Sequence, residues 1–389
     1  MKTNLHGTRA MPLAISLATI TLLSAPAQAA TTRYVSARLP INGPQKEIGA
    51  VRPAGLDGSS LTPTGYPTNA WTKLATLSGA TVHDVAFASP TTGYAAAELG
   101  QIWATTNGGQ SWKETLNRGF PYYYYGIAVD GKKITASGFD DNNSEAILTE
   151  SNDGGKTWQA DIVLSTNAWG GRVRYAQGLK DGLAMNGEGL GNPNAAWWRV
   201  KPGDWAQVTP DANGGWFGYQ FTLLKDKTAY ASGINYCTSA NVGATWTCGP
   251  PADSVFDGPT EFVSDKIGWT GGGEISPNVE GWLHRTTDGG ATWSGRVLNT
   301  AWPIRQIEFL NKKIGWATGG NIYSTVGGIY YSADGGKTWS QDLATTDEVG
   351  ACAYQNLGTG QTQIWCIGDA YANNAFSSNV YSATVSTPR

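Results

Sequence analysis

The 389-residue chain carries 27 Lys and Arg against 30 Asp and Glu, a formal net charge of −3. That balance argues against a nucleic-acid partner, which calls for a basic face. The length alone allows two ordinary domains or one large repeat array.

The chain begins with Lys2 and Arg9, an apolar run over 11–23, and "APAQA", with Ala27 and Ala29 at small-residue cleavage positions. This reads as a Sec-type secretory leader over 1–29. It has no cysteine near its cleavage site, so a lipoprotein is not expected. The run is too short to span a bilayer, and no later segment reaches about 18 apolar residues. Without Lys2 and Arg9 the formal charge goes from −3 to −5. Residues 30–70 are rich in Pro, Gly, Ser and Thr without a period, and read as an N-terminal arm, wrapped on the domain or disordered.

From residue 71 onward one short string keeps returning: "TTNGGQSW", "SNDGGKTW", "SANVGATW", "TTDGGATW" and "SADGGKTW". The closing tryptophans Trp112, Trp158, Trp246, Trp293 and Trp339 are 46, 88, 47 and 46 residues apart, and Trp205 falls near the middle of the double interval. Trp71, in "NAWTKLATL", lies 41 residues before Trp112 but has no turn motif in front of it. Seven units of one repeat follow from this spacing. Units of this length, with four short β-type runs separated by Gly and Asn turns and no amphipathic helix, predict propeller blades. The expected fold is therefore all-β: a seven-bladed propeller of four-stranded antiparallel blades over 71–389. After Trp339 the chain completes one blade and supplies three strands of another, so "WTKLATL" is expected to add the fourth and close the ring.

Four cysteines in an exported chain are expected to be oxidised. Cys237 and Cys248 flank the degenerate turn, and Cys352 and Cys366 sit on the first two strands of the closing blade, so local pairing fits both. A metal site is the rival reading. It has no CxxC, and beyond the leader only His83 and His284 are present. No metal or other cofactor is expected.

The repeated turn resembles the Asp-box, or BNR, repeat, S/T-x-D-x-G-x-T-W. Asp153, Asp288 and Asp334 stand at its acidic position, Asn107 and Asn241 replace Asp in two copies, and Trp112, Trp158, Trp246, Trp293 and Trp339 close it. The resemblance implies a structural turn between third and fourth strands, on the face away from any ligand. The alternative reading, that these aspartates bind calcium or catalyse, is the weaker one.

Function is then expected on the opposite rim, built from loops after fourth strands and between second and third strands. The first class carries Tyr123, Tyr125, Trp169, Trp216 and Trp302, with W-x-x-R occurring as Trp169 with Arg172 and Trp302 with Arg305. Either these aromatics plug the gaps between blades, or they form a platform that stacks on sugar rings or peptide side chains while arginine pairs with a carboxylate. The second class carries Glu98, Glu188, Glu274 and Asp369; paired carboxylates are what glycoside hydrolysis requires. His83, Tyr125 and Arg305 have the base, acid and charge-neutralising chemistry of a polysaccharide lyase.

The phrases "GYAAAELGQIWATTNGGQSW" and "IGWATGGNIYSTVGGIYYSADGGKTW" are most similar to the photosystem II stability/assembly factor-like propellers. That resemblance implies a non-catalytic binding or assembly scaffold working through its aromatic- and Arg-lined rim. No photosynthetic role follows from it. The expected partner is an extracellular or periplasmic protein or polysaccharide, engaged by a monomer with no nucleic acid and no membrane span. The alternative is a glycoside hydrolase, polysaccharide lyase or lectin acting on extracellular polysaccharide. Sialidases fit poorly, because no F-R-I-P segment occurs.

Overall fold

The computed structural model describes residues 69–389, apart from 167–168, 176–181, 188–195, 202–203, 209–216, 234–235, 243–244, 250–256, 275–278, 322–324, 359, 373–374 and 387–389. The leader, the arm up to residue 68, Glu188, Trp216 and the side chain of Trp169 lie outside the described residues. The chain divides into Met1–Leu39 and Pro40–Arg389, and everything described belongs to the second unit. Every regular element among the described residues is a β-strand. No helix among the described residues is long and apolar enough to cross a membrane.

The strands pair into seven four-stranded antiparallel sheets. Six sheets are contiguous blades, over 82–117, 122–166, 169–208, 217–249, 257–300 and 304–345. The last is composite, with Glu348–Asn356, Gln361–Ala372 and Ala375–Ser386 joined by Thr72–Ser78 from the other end of the chain. The expectation of seven units of one repeat is corrected accordingly. There are six repeat blades, not seven. The composite sheet cannot carry an Asp-box turn, because its third and fourth strands are not consecutive in the chain. First strands of neighbouring sheets pack against one another around the ring, and the composite sheet packs on the first blade.

Closure rests on the register Thr72↔Ser382 to Ser78↔Ser377, with a bulge between Lys73 and Ala75. Asp342 anchors the incoming chain by accepting the Asn69 N–H at 2.7 Å, Asn69 Nδ2 at 2.9 Å and Trp71 Nε1 at 2.7 Å. On the far side of the seam, Asp369 and the Ser378 hydroxyl both accept the Val82 N–H. Asp369 thus belongs to the closure and is almost fully buried.

Each Asp-box turn joins a third to a fourth strand and is tied down from within. In the second blade Ser151 Oγ donates to Asp153 Oδ1 at 2.9 Å, and the same carboxylate oxygen accepts the Lys156 and Thr157 N–H groups at 3.0 Å. Hydrogen bonds from the Thr157 and Thr292 hydroxyls and their backbone N–H groups pull Asp153 and Asp288 down to about 2. Gly154 and Gly155 take φ of +80° and +79°, which a β-carbon would strain. Asn107 keeps the geometry by accepting the Ser111 N–H at 3.0 Å. Among the described residues no group of three or more potential ligands could hold a metal ion.

The turn also welds neighbouring blades and fixes which face is which. Gly154 N–H donates to Lys132 O and Gly335 N–H to Lys313 O, so Asp-box turns lie beside the turns between first and second strands. Their glycine carbonyls accept bonds from the preceding sheet: Tyr94 OH to Gly154 O at 3.1 Å, Trp269 Nε1 to Gly335 O at 3.2 Å, and Trp365 Nε1 to Gly108 O at 2.8 Å. Trp316, the equivalent residue facing the composite sheet, meets no Asp-box carbonyl, and its buried Nε1 has no hydrogen-bond partner. Beneath these bonds Phe309 stacks on Trp269 at 3.4 Å and Phe87 on Trp365 at 3.7 Å. Both rings lie over glycines, Gly315 and Gly93, where a β-carbon would come within 2.5 and 2.6 Å.

Both disulfides pair as local neighbours, Cys237 with Cys248 and Cys352 with Cys366, and no described cysteine is free. Each joins residues directly opposite on adjacent strands. Two such bonds fit an oxidising environment.

Candidate functional site

The polar chemistry of the molecule concentrates where the first strands line the central channel. Asp84, fully buried, accepts Arg172 Nη1 at 2.9 Å, Arg174 Nη1 at 2.6 Å and the Ile127 N–H at 3.0 Å. Burial alone would raise its carboxyl, but the Arg174 and Arg172 guanidinium groups bring it below the usual range. Arg172 Nη2 donates to His83 O at 3.0 Å, tying the third blade to the first across the channel. The expected rim arginine is therefore an inner cross-brace, 9% exposed.

Further round the channel, Gln306 accepts the Cys352 N–H at 2.6 Å and donates to Cys352 O at 3.0 Å. Gln220 does the same to Ile307, accepting at 3.0 Å and donating at 2.6 Å. A side-chain amide thus substitutes for a strand partner. Glu261 accepts from the Thr222 hydroxyl at 3.1 Å, and Glu308 from Gln306 Nε2 at 2.8 Å. Burial and the neighbouring Glu308 carboxylate push Glu261 well above the usual range. Burial, partly offset by Arg174, brings Glu308 up to about 7.

At the end of the channel away from the Asp-box turns, His83 and Tyr125 come together, with ring centroids 4.9 Å apart. Tyr125 stacks on Tyr123 at 6.3 Å, and Tyr123 meets the exposed Phe120 edge to face at 6.5 Å. His83 Nε2 is 3.6 Å from Glu98 Oε1, too far for a hydrogen bond, and is otherwise without a partner.

Other expected residues are placed elsewhere. Arg305 Nε pairs with Glu348 of the composite sheet at 2.9 Å, although its N–H is not aligned for a hydrogen bond. Of the trio with lyase chemistry, His83 and Tyr125 are neighbours, while Arg305 is occupied by Glu348. Trp302 is 4% exposed and packs in the core between the fifth and sixth blades, beside Tyr330 at 5.6 Å. Glu274 ends a second strand, and burial and Glu280 raise its carboxyl. Trp169 opens the first strand of the third blade, opposite Gly187.

Asp84, Gln220, Glu261, Gln306 and Glu308 were missed from sequence. A signal existed. Asp84 and Gln306 each stand three residues before the phenylalanine that ends a first strand, Phe87 and Phe309, and Glu261 and Glu308 one residue before Phe262 and Phe309. These share one face by period two. Polar and ionisable residues on the face of an otherwise apolar strand mark the channel, not solvent.

Comparison with known proteins agrees with this architecture. A sequence model of the BNR/Asp-box repeat matches residues 330–341. A search of curated protein sequences finds no match. The fold is similar to YCF48 bound to a D1 peptide, at 16% identity and a TM-score of 0.57 over 82% of this chain and 97% of the other. It is equally similar to YCF48 from Cyanidioschyzon merolae, at 16% identity and a TM-score of 0.56 over 81% and 98% of the two chains. A GH74 enzyme from Niastella koreensis aligns at 16% identity and a TM-score of 0.55 over 78% of this chain but 55% of its own. The class is thus a β-propeller with Asp-box turns, and these likenesses speak to fold alone.

Proposed function

We propose that this propeller is a non-catalytic binding scaffold that engages a polypeptide segment through the face opposite its Asp-box turns. It would act as a monomer in an oxidising compartment outside the cytoplasm. The observation that carries this reading is where large apolar side chains stay exposed. Leu99, Phe120 and Val279 stand on connections of that face, Val326 and Tyr371 stand at strand ends beside it, and Val163 on an outer strand is the other described case. A one-sided apolar set marks an interaction surface more than scattered single residues do. The D1 peptide carried by a YCF48 neighbour is consistent with polypeptide as the ligand class.

A carbohydrate-active role is the second reading, favoured by the contact between His83 and Tyr125. It is weakened by the engagement of Arg172 and Arg305 with Asp84 and Glu348, which removes both from charge neutralisation. Probing the purified protein on a tiled peptide array and a glycan array, with an assay for unsaturated and reducing-end products, separates the two. Saturable peptide binding, lost in Phe120→Ser with Tyr371→Ser and kept in Asp153→Asn, is the expected result. Turnover of a glycan, or binding indifferent to the Phe120 and Tyr371 changes, would overturn the scaffold reading.

A further inference from the structure

Where the Asp-box turn docks on its own blade, the same residue type returns. The turn donates a backbone N–H to the carbonyl of Lys132, Lys227, Lys266 and Lys313 in the second, fourth, fifth and sixth blades, and to that of Thr91 in the first. All four lysines are exposed. Because each carbonyl is held at the same step of the repeat, the four side chains start from one level around the ring and make a flat array.

Other lysines join it. Lys225 and Lys312 share those turns, and Lys156 and Lys337 stand in Asp-box turns. The remaining lysines with a described side chain, Lys73, Lys113 and Lys133, fall within the first two residues of strands that leave this face. No connection of the opposite face contains a lysine. The charge is not cancelled locally. Asp153, Asp288 and Asp334 share the face, but their oxygens accept the N–H and O–H groups of Thr157, Thr292 and Thr338 within the same turns. In the lysine turns themselves the acids are Asp226 and Asp265, with Asp130 at the edge of one. Among the described residues no ion pair holds Lys132, Lys156, Lys266, Lys312, Lys313 or Lys337.

The chemistry and the shape of the array select its partner. Lysine is a hydrated point charge on a flexible stem, suited to a field of anions more than to a forked fit on one group. Among the described residues no large apolar side chain is exposed on this face, so contact there rests on charge and not on insertion. A planar set of charges meets a planar partner everywhere at once, whereas a linear polyanion crosses the ring along one line and reaches only part of it.

We propose that the Asp-box face docks on a bilayer surface rich in anionic phospholipid, with the lysine ring against the phosphate layer. Each lysine brought to such a surface strengthens binding roughly fivefold. The attraction fades within about 8 Å at physiological salt. This docking does not depend on the polypeptide reading, and it turns the proposed polypeptide surface away from the membrane.

The test is cosedimentation of the whole protein with vesicles of phosphatidylcholine and phosphatidylglycerol mixed about two to one, beside vesicles of phosphatidylcholine alone. Binding to the mixed vesicles only, abolished by high salt, is expected. Lys266→Gln with Lys313→Gln should weaken it about tenfold or more, and adding Lys132→Gln and Lys227→Gln should remove it. Glutamine keeps the backbone carbonyls that dock the turns, so these variants should melt with the wild type. Arg296→Gln, which removes a cation elsewhere, and Phe120→Ser with Tyr371→Ser should bind vesicles normally, which separates this docking from the polypeptide surface. No sedimentation at low salt, equal binding to phosphatidylcholine alone, or unchanged binding in the fourfold variant would each overturn the proposal. So would a soluble acidic polysaccharide that binds through the same lysines more tightly than the vesicles. If the fourfold variant does not fold, the double variant decides, and unchanged binding there also overturns it.

Discussion

Replacing Asp334 with alanine tests whether the Asp-box carboxylate is a part of the turn and nothing more. The change removes acceptors for the Lys337 and Thr338 N–H groups at 3.0 Å, the Ser332 hydroxyl at 2.9 Å and the Thr338 hydroxyl at 2.7 Å. Water can replace much of what is lost at a half-exposed turn, so the expected cost is about 1 to 2 kcal/mol in total rather than for each bond. Asp334→Asn should cost less than about 0.5 kcal/mol, because it keeps an acceptor oxygen in place. Asn107 and Asn241 already do this, accepting the Ser111 and Thr245 N–H groups at 3.0 and 2.9 Å. Burial would raise the Asp334 carboxyl, but hydrogen bonds from Thr338, Ser332 and Lys337 bring it below its ordinary 3.8. A depressed folded value means stability that is present above 3.8 and lost as pH falls through the folded value, so the gap between wild type and Asp334→Ala should narrow in acid. Denaturant unfolding of the three proteins at neutral and strongly acidic pH measures this. Equal losses in the Ala and Asn variants, or peptide binding that fails in Asp334→Ala well below its melting point, would refute the structural role.

Deleting residues 71–77 should remove the closing strand, expose the edge at Ala375–Ser386 and cause aggregation; a soluble monomer with an unchanged melting temperature would contradict the closure. Non-reducing peptide mapping should find Cys237 joined to Cys248 and Cys352 to Cys366. Reducing each bond should cost roughly 2 to 4 kcal/mol, and crossed pairs would break the strand register. Glu308 is raised in the folded protein from its ordinary 4.5 to about 7, so its contribution is lost as pH rises across that window. Glu308→Gln should flatten the fall in stability over that range, and an unaltered slope would count against a buried carboxyl there.

What was legible in the sequence was whatever the repeat forces to recur. The S/T-x-D-x-G-x-T-W turn returns because each blade must dock a third-to-fourth strand turn on its own first turn and offer a glycine carbonyl to the previous blade, as Gly335 does to Trp269. Chain order alone placed Thr72–Ser78 beside Ala375–Ser386. What was not legible is what each blade does differently at one repeat position. Asp84 and Gln306 occupy equivalent places, yet one braces two arginines of the third blade and the other clamps the backbone of the composite sheet. Nothing local distinguishes them, because the deciding partner lies 88 residues away in one case and 46 in the other. The same limit explains Arg172 and Arg305. A W-x-x-R string fixes a turn and a strand start, but whether the arginine faces solvent or a carboxylate depends on Asp84 and Glu348, which belong to other blades. Repetition therefore fixes the ring and its two faces, while the departures from repetition, concentrated on the channel wall, carry whatever is particular to this protein.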